Sequence, residues 1–312
     1  MMRIMLTGGA GFIGSNVAKC LFSLGHEIVC VDKLLHGSWR IQSLIGQTGF
    51  TLYAIDLCNE TELSNVFSKE PIDYVMHLAA NSDIQISSKN PNNEYYNTYL
   101  TTKSILENMK KYGVKRLFYA STSAVYGDYG NQVIDENYVL CPISYYGAAK
   151  MGAEGLIHAY SYMNNFSSLI YRFSNIVGPS MTHGVIYDFF NKLKNNRRVL
   201  EILGDGKQTK PYLYIDDLVS GIVLGMALQA NGVHIFNIGS DSSTSVIHIA
   251  DMLVRQLHLC DVTYCYTGGE RGWRGDIPVY HLNNAKLTAM GWCAKYNSDQ
   301  AVQVAIQKMV LS

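Results

Sequence analysis

The sequence predicts an α/β protein in which a doubly wound parallel sheet is followed by a smaller C-terminal α/β lobe. Three features of the 312 residues predict this class. Strand-like and helical stretches alternate through the first half of the chain. The strand-like runs are continuously apolar, as in strands that helices cover on both faces. A glycine-rich turn joins the first run to the first helical stretch.

Five short runs of apolar and β-branched residues are predicted as strands of the sheet. They are Ile4–Thr7, Glu27–Val31, Phe50–Ala54, Tyr74–Ala79 and Arg116–Ser121. The helical patterns among them cover Phe12–Leu24, Glu60–Ser68 and Asn93–Lys111. We therefore expect residues 1–178 to form the first domain.

The pattern changes at about residue 180, where helices alternate with short strands and longer loops. Helical patterns cover Val185–Asn195, Asp216–Leu228, Val246–Gln256 and Asp299–Met309. Residues 179–312 are expected to form mainly the smaller lobe. Residues 212–240, which include a strand at His234–Ile238, are expected to return to the first domain.

Composition argues against several classes of protein. Hydrophobic residues make up 48% of the chain, and 25 basic residues balance 25 acidic ones. Such a balance gives no support for binding nucleic acid or a membrane surface, and no apolar run approaches the roughly 20 residues of a membrane span. The seven cysteines show no CxxC pair, which favours free thiols in the cytoplasm over disulfides or a metal site.

A phosphate-binding loop is predicted at Thr7–Ser15, between the first strand and the first helix. Its glycines at positions 8, 11 and 14 form a GxxGxxG variant of the Rossmann fingerprint. Asp32, at the end of the second strand, suits hydrogen bonds to ribose hydroxyls and would repel a 2′-phosphate. The loop therefore predicts NAD in preference to NADP, and the neighbouring Lys33 is the one feature against that preference.

A second motif, YxxxK, places Tyr146 and Lys150 on one face of a helix. A lysine near the phenol would lower the pKa of the tyrosine and favour the phenolate. A phenolate can take a proton from a sugar hydroxyl while hydride leaves the same carbon for NAD. Thr122 and Ser123 follow the fifth strand at the carboxyl edge of the sheet, where doubly wound sheets bind ligands.

Together these motifs resemble the extended short-chain dehydrogenase/reductase family, in particular its NAD-dependent nucleotide-sugar epimerases and dehydratases. The resemblance extends from Met2 to about Gly291. Besides the motifs above, it rests on Asp56-Leu57, His77–Ala80, Asn97-Thr98, Ser121–Gly127, Arg172–Pro179 and Gly204–Gly206.

The resemblance implies a role for individual residues. Tyr146 would be the base, Lys150 its partner, and Thr122 the hydroxyl that orients the sugar oxygen. The predicted cofactor-binding residues are Gly8, Gly11, Phe12, Ile13, Gly14, Asp32, Lys33, Asp56, Leu57, Ala79, Ala80, Asn97, Ser121, Tyr146 and Lys150. The predicted substrate-binding residues are Ser123, Asn175, Val185, Lys210, Arg271 and Tyr280.

Ala124 bears on the reaction that the resemblance implies. Dehydratases and decarboxylating relatives carry an acid at this position, because removing water needs a proton donor and a base beyond the tyrosine. Thr122-Ser123-Ala124 resembles the epimerase pattern instead. The resemblance therefore implies 4-epimerisation of a nucleotide-sugar of the UDP-glucose/UDP-galactose type. A dehydratase, a reductase and a non-catalytic NAD-binding sensor remain alternatives.

The predicted substrate handle departs from the family pattern at two places. In Arg271–Pro278, Trp273 occupies the position expected for an arginine, so either Arg271 or Arg274 would grip the diphosphate, and we favour Arg271. Lys210-Pro211 stands where relatives often have Arg-Asp. By the same resemblance, Tyr280 would limit the size of the substituent at the sugar C2 position.

The resemblance also implies a homodimer, which the helices near 93–111 and 146–163 would form through a four-helix bundle.

Overall fold

A computed structural model describes residues 1–81, 90–228 and 231–311. The chain forms two compact units. The first comprises residues 1–125, 145–172 and 219–236, and the second comprises residues 126–144, 173–218 and 237–312. These units are groups of packed elements and do not test the predicted domain boundaries. The prediction stays that residues 1–178, with 212–240, form one domain and that residues 179–312 form mainly the other.

A seven-stranded sheet is the central element of the first unit, and it confirms the predicted fold class. The strands are β1 Arg3–Thr7, β2 Glu27–Asp32, β3 Phe50–Ala54, β4 Tyr74–His77, β5 Arg116–Thr122, β7 Ser167–Phe173 and β12 Gly232–Ile238. Their order in the sheet is β12-β7-β5-β4-β1-β2-β3, and β1 lies parallel to both β2 and β4. The reversal of strand order at β1 is the doubly wound topology.

The first unit contains the helices α1 Phe12–Ser23, α2 Glu60–Lys69, α3 Thr101–Tyr112 and α4 Tyr145–Asn164. Helix α2 begins where the Asn59 side chain accepts a hydrogen bond from the Glu62 N–H, and α3 ends at Gly113 in the left-handed conformation. The apolar faces of these helices bury a core that includes Met5, Val75 and Leu106.

Two predicted elements differ from the structure. The strand predicted over Tyr74–Ala79 ends at His77, because the chain leaves the sheet where the Ala79 N–H donates to the Thr7 hydroxyl. The single helix predicted over Asn93–Lys111 has three parts. A helical turn at Asn92–Glu94 and a π-helical segment at Tyr95–Leu100 precede α3. The wider turn of a π-helix shifts the side chains that follow it.

The described residues also form shorter strands and further helices. The strands are β6 Val133–Ile134, β8 Asn175–Val177, β9 Val199–Ile202, β10 Thr209–Lys210, β11 Tyr212–Tyr214, β13 Thr244–Ser245, β14 Thr263–Tyr266 and β15 His281–Leu282. The helices are α5 Val185–Asn195, α6 Ile215–Met226, α7 Val246–Gln256, α8 Ala285–Ala289 and α9 Ser298–Leu311. Within the described ranges, none of the helices is long and apolar enough to cross a membrane.

Candidate active site

The glycine loop forms a tight cradle between β1 and α1 in the first unit. Gly8 adopts a φ of +70°, and a Cβ atom there would lie 2.8 Å from the main-chain nitrogen of Ala79. A Cβ atom on Gly14 would lie 2.1 Å from the carbonyl oxygen of Gly8, so only glycine fits at this position. Helix α1 begins at Phe12, and Gly11 before it has no side chain to cover the first N–H groups. The cradle therefore fits a pyrophosphate.

The acid predicted for the ribose lies beside this loop. The Asp32 carboxylate accepts hydrogen bonds from the main-chain N–H of Ala10 at 3.0 Å and of Leu34 at 2.8 Å. Lys33 pairs with Asp56, with Nζ 2.7 Å from Oδ2. Burial favours a higher pKa for Asp56, but the hydrogen bonds from Lys33 and from the Cys58 N–H, together with the charge of Lys33, lower the pKa. An acid partner reduces the positive charge that Lys33 could offer to a 2′-phosphate.

Other predicted cofactor residues already have partners within the protein. Asn97 accepts a hydrogen bond from Lys33 at 3.0 Å and donates to the main-chain oxygen of Asn93. Leu57 is 3% exposed and packs in the hydrophobic core, so only its main chain could contact the cofactor. Ala79 and Ala80, which follow β4, are half-buried.

The predicted catalytic residues meet where β5 ends and α4 begins. Tyr146 and Lys150 lie one turn apart on α4, with the Lys150 ammonium 6.0 Å from the centre of the Tyr146 ring. Lys150 is 2% exposed and donates a 2.6 Å hydrogen bond to the main-chain oxygen of Ala120 on β5. Thr122 is near enough to Tyr146 for its side chain to lower the pKa of the phenol, and Ser123 is half-buried directly after Thr122. The structure thus brings the three predicted catalytic residues together.

The pKa of Tyr146 differs from the sequence-based expectation. We expected the neighbouring lysine to lower it, but burial raises the pKa above its usual range, and the charge of Glu94 raises it further. The hydrogen bond with Thr122 acts in the opposite direction. The reason is geometric, because the ammonium of Lys150 is directed to the carbonyl of Ala120 and not to the phenol.

An ion pair that the sequence-based analysis did not predict lies behind the catalytic pair. Glu154 is on α4, one turn after Lys150, and is 2% exposed. Its carboxylate accepts hydrogen bonds from the Arg172 guanidinium at 3.1 and 2.7 Å, and another from the Ser121 hydroxyl. The spacing Tyr146, Lys150, Glu154 repeats every four residues, and this helical periodicity is a signal that could have predicted it.

A second buried acid, Glu94, also escaped prediction. It lies in the helical turn before the π-helical segment and is 1% exposed. Its carboxylate accepts hydrogen bonds from Asn81 at 2.7 Å and from Thr98 at 2.8 Å. No periodicity links residue 94 to the YxxxK motif, so the sequence alone offers no signal for it.

In the second unit, the structure brings together two of the predicted substrate residues. Asn175 begins β8, and its amide oxygen accepts a 2.7 Å hydrogen bond from the Tyr280 hydroxyl. Tyr280 is 4% exposed. The hydrogen bond therefore fixes the hydroxyl end of the buried Tyr280 ring against Asn175.

The two cationic side chains predicted for the diphosphate have acidic partners in the same unit. Lys210 Nζ lies 2.5 Å from Asp276 Oδ1. Arg271 Nη2 lies 2.5 Å from Asp128 Oδ2, and Nη1 donates to the main-chain oxygen of Asp276. An anion bound here would share or displace these partners. Val185 is the first residue of α5 and is half-buried, and Arg274 is exposed.

Comparison with known proteins identifies the family. The model of the NAD dependent epimerase/dehydratase family matches residues 4–239. The chain belongs to this family. The predicted resemblance and the predicted dependence on NAD are thereby confirmed, and the geometry of the glycine cradle agrees with them.

The chain is similar to members of this NAD-dependent family that catalyse different reactions. A dTDP-D-glucose 4,6-dehydratase of Dictyostelium discoideum is 35% identical over 81% of the chain, which spans 62% of that protein's length. A UDP-glucuronate 4-epimerase of Thermodesulfobacterium geofontis is 32% identical, over 80% of the chain and 79% of the relative. A solved structure of UDP-glucuronic acid 4-epimerase from Bacillus cereus, in complex with UDP-glucuronic acid and NAD, has a TM-score of 0.90. It is 26% identical and covers 99% of each chain.

Proposed function

We propose that this family member is an isomerase that epimerises a UDP-linked sugar at C4, of the UDP-glucose/UDP-galactose type. The observation that carries the proposal is the grouping of Tyr146, Lys150 and Thr122 at the end of β5. The names of similar proteins support a UDP-sugar, since two of them are UDP-glucuronate 4-epimerases.

The proposed reaction begins with removal of the C4 hydroxyl proton. Tyr146 is proposed as the base, and Thr122, whose side chain is near enough to lower the pKa of this phenol, is proposed to meet the same sugar hydroxyl. NAD, when bound in the cradle at Gly8 and Gly14, would supply a hydride acceptor and donor for C4. Lys150 holds positive charge near the phenol as the proton moves to Tyr146 and later returns to the C4 oxygen. Because the sugar would be oxidised and then reduced in one cycle, no cofactor would be consumed.

The residues of the second unit are proposed to hold the nucleotide-sugar. Lys210 and Arg271 supply positive charge for the diphosphate, and Arg271 has the fork geometry that suits two phosphate oxygens. Asn175 is proposed to contact the same part of the substrate, and Ser123 and Val185 to complete the site. Tyr280, with its ring fixed by Asn175, is proposed to restrict bulk at C2.

A 4,6-dehydratase is the second candidate, because a relative with 35% identity has that activity by name. Dehydration needs an additional acid or base at the sugar. Residues 122–124 contain no carboxylate, and Glu94 is buried with both oxygens accepting hydrogen bonds. These contacts favour epimerisation.

We also propose a homodimer. Tyr95 and Tyr96 of the π-helical segment are 50% and 56% exposed, and Tyr162 and Met163 near the end of α4 are 87% and 75% exposed. Exposed apolar side chains on neighbouring helices of one unit are typical of a protein interface. The same helices are those that the family resemblance implies for a four-helix bundle.

A pair of adjacent tyrosines offers a matched test of the proposed base. Tyr146→Phe should reduce turnover of the UDP-sugar by roughly 100-fold to 10,000-fold, the scale of general base catalysis, and leave NAD bound. Tyr145→Phe makes the same chemical change at a side chain that is 53% exposed on the same helix, and it should be neutral. Turnover is measured on UDP-glucose, UDP-galactose, UDP-N-acetylglucosamine and UDP-glucuronate. Equal activity of the two variants would refute Tyr146 as the base. Wild-type protein that binds NAD but turns over none of these nucleotide-sugars would favour the alternative of a non-catalytic NAD-binding sensor.

A further inference from the structure

A row of three buried polar side chains, Thr7, His77 and Thr102, joins the sheet to α3 in the first unit. Thr7 is the last residue of β1 and His77 the last of β4, and the two are paired in the parallel ladder. Thr102 lies in the first turn of α3. Each of the three residues is at most 1% exposed. Polar groups buried this deeply need hydrogen-bond partners within the protein.

Hydrogen bonds connect the row in series. The Thr7 hydroxyl oxygen lies 2.7 Å from Nδ1 of His77, and Nε2 of the same ring lies 3.1 Å from the Thr102 hydroxyl oxygen. At one end, the main-chain N–H of Ala79 donates to the Thr7 hydroxyl at 3.2 Å. At the other end, the Thr102 hydroxyl donates to the main-chain oxygen of Thr98 at 2.7 Å. The row therefore connects the main chain after β4 with the π-helical segment.

The end of the row at α3 decides which ring nitrogen of His77 carries the proton. A hydroxyl has one proton to donate, and Thr102 donates it to Thr98. The Thr102 oxygen can therefore only accept from Nε2, so the His77 proton is on Nε2. Nδ1 of a neutral imidazole is then an acceptor, and the Thr7 hydroxyl donates to it. Every hydrogen bond of the row thus has the same direction, from Ala79 to Thr98.

The surroundings of His77 keep its ring neutral. Burial and the charge of Lys150 lower the pKa of His77 to about 3. The ring of Tyr119 packs against the imidazole with 5.7 Å between the ring centres, and burial raises the pKa of this phenol. A charged imidazolium would donate from both nitrogens and leave the Thr7 hydroxyl without an acceptor. The single direction of the hydrogen bonds therefore requires a neutral ring.

The Thr7 end of the row lies beside the cofactor cradle. Thr7 directly precedes Gly8, and a Cβ atom on Gly8 would lie 2.8 Å from the Ala79 nitrogen that donates to Thr7. Ala79 is also one of the residues predicted to bind NAD. The Thr7 hydroxyl therefore holds the main chain after β4 against the glycine loop, and His77 fixes the direction of that hydroxyl.

We propose that His77 is a positioning residue for NAD, whose neutral Nε2–H tautomer holds the Thr7 hydroxyl and, through it, the two main-chain segments that border the cradle. His77 acts through Thr7 and Ala79 and does not need to touch the cofactor. The role goes beyond the proposed function, because it concerns the binding of NAD and is independent of the sugar that reacts.

The position of the proton is tested by NMR of protein labelled with ¹⁵N in the histidine rings. The His77 signals are assigned by their absence in His77→Phe or His77→Gln. In the wild type, Nε2 should give the signal of a protonated nitrogen and Nδ1 that of an unprotonated one. A protonated Nδ1 at neutral pH would overturn the proposal.

The effect on the cofactor is tested by calorimetry with NAD. Thr7→Val keeps the shape of the side chain but leaves the Ala79 N–H without its acceptor, so NAD should bind roughly 10-fold more weakly. His77→Phe keeps an aromatic ring without nitrogens and should weaken binding to a similar extent. Thr61→Val, at an exposed residue of α2, is the control and should bind as the wild type does. NAD affinity of His77→Phe equal to that of the control would overturn the proposal.

A variant on α3 separates positioning from packing, and it also serves if His77→Phe does not fold. In Thr102→Val the Nε2–H loses its acceptor, so the His77 proton should move in part to Nδ1, and the Thr7 hydroxyl should lose its acceptor in turn. The Nδ1 signal should change and NAD should bind more weakly, and Thr102→Ser should reverse both effects. An unchanged Nδ1 signal, or unchanged NAD affinity, in Thr102→Val would overturn the proposal. Because no sugar is present, failure of the proposed epimerisation leaves these results unaffected.

Discussion

The buried ion pair between Glu154 and Arg172 allows a quantitative prediction about stability. Both side chains are 3% exposed, and two hydrogen bonds join them. Arg172→Met removes the guanidinium and leaves a buried carboxylate, so it should lower the free energy of unfolding by about 3–5 kcal/mol. Glu154→Leu leaves a buried guanidinium and should have a similar cost.

The double variant separates the ion pair from the packing around it. Replacing both partners by apolar residues removes both charges, and one remaining cost is the loss of a partner for the Ser121 hydroxyl that donates to Glu154, about 1–3 kcal/mol. The double variant should therefore be more stable than either single variant. The assay is urea unfolding followed by tryptophan fluorescence and by circular dichroism, with coincident transitions required for a two-state analysis. A double variant whose cost equals the sum of the two single costs would refute the reasoning, because it would show no coupling between the two charges.

Three further predictions follow from the described contacts. Gly14→Ala should weaken NAD binding, measured by calorimetry, by roughly 100-fold or about 2.7 kcal/mol, because the added Cβ would lie 2.1 Å from the Gly8 carbonyl oxygen. Gly155→Ala is the control: its Cβ would enter open space, so this variant should bind NAD as tightly as the wild type does. Tyr280→Ser should remove the ring held by Asn175 and raise turnover of UDP-N-acetylglucosamine relative to UDP-glucose; an unchanged ratio of kcat/KM would contradict a role at C2. Light scattering should give a mass of twice 34.8 kDa, and a single-chain mass would contradict the homodimer.

The features that the sequence predicted well are those that depend on neighbours in the chain. The glycine loop needs only the order strand, turn and helix, and the structure reproduces it at Gly8 and Gly14. Tyr146 and Lys150 are four residues apart, so a helix alone brings them together. The five predicted strands of the sheet all form because continuous apolar runs leave few other ways to bury them.

The features that the sequence did not predict depend on distant parts of the chain. Glu94 approaches the catalytic helix only because the turn and π-helical segment before α3 bury it there. Leu57 packs into the core, so its predicted contact with the cofactor would have to come from its main chain. The direction of the Lys150 ammonium depends on the carbonyl of Ala120, 30 residues earlier. Local patterns carry no information about such contacts.

Transfer of deuterium at C4 tests the central claim most directly. The protein is incubated without added cofactor with UDP-glucose that carries deuterium at C4, and the products are followed by NMR. Epimerisation by a transient C4 ketone predicts UDP-galactose with the deuterium still at C4, because the same bound NAD returns it to the other face. Deuterium at another carbon, its exchange with solvent, or no galactose product from NAD-loaded protein would contradict the proposal.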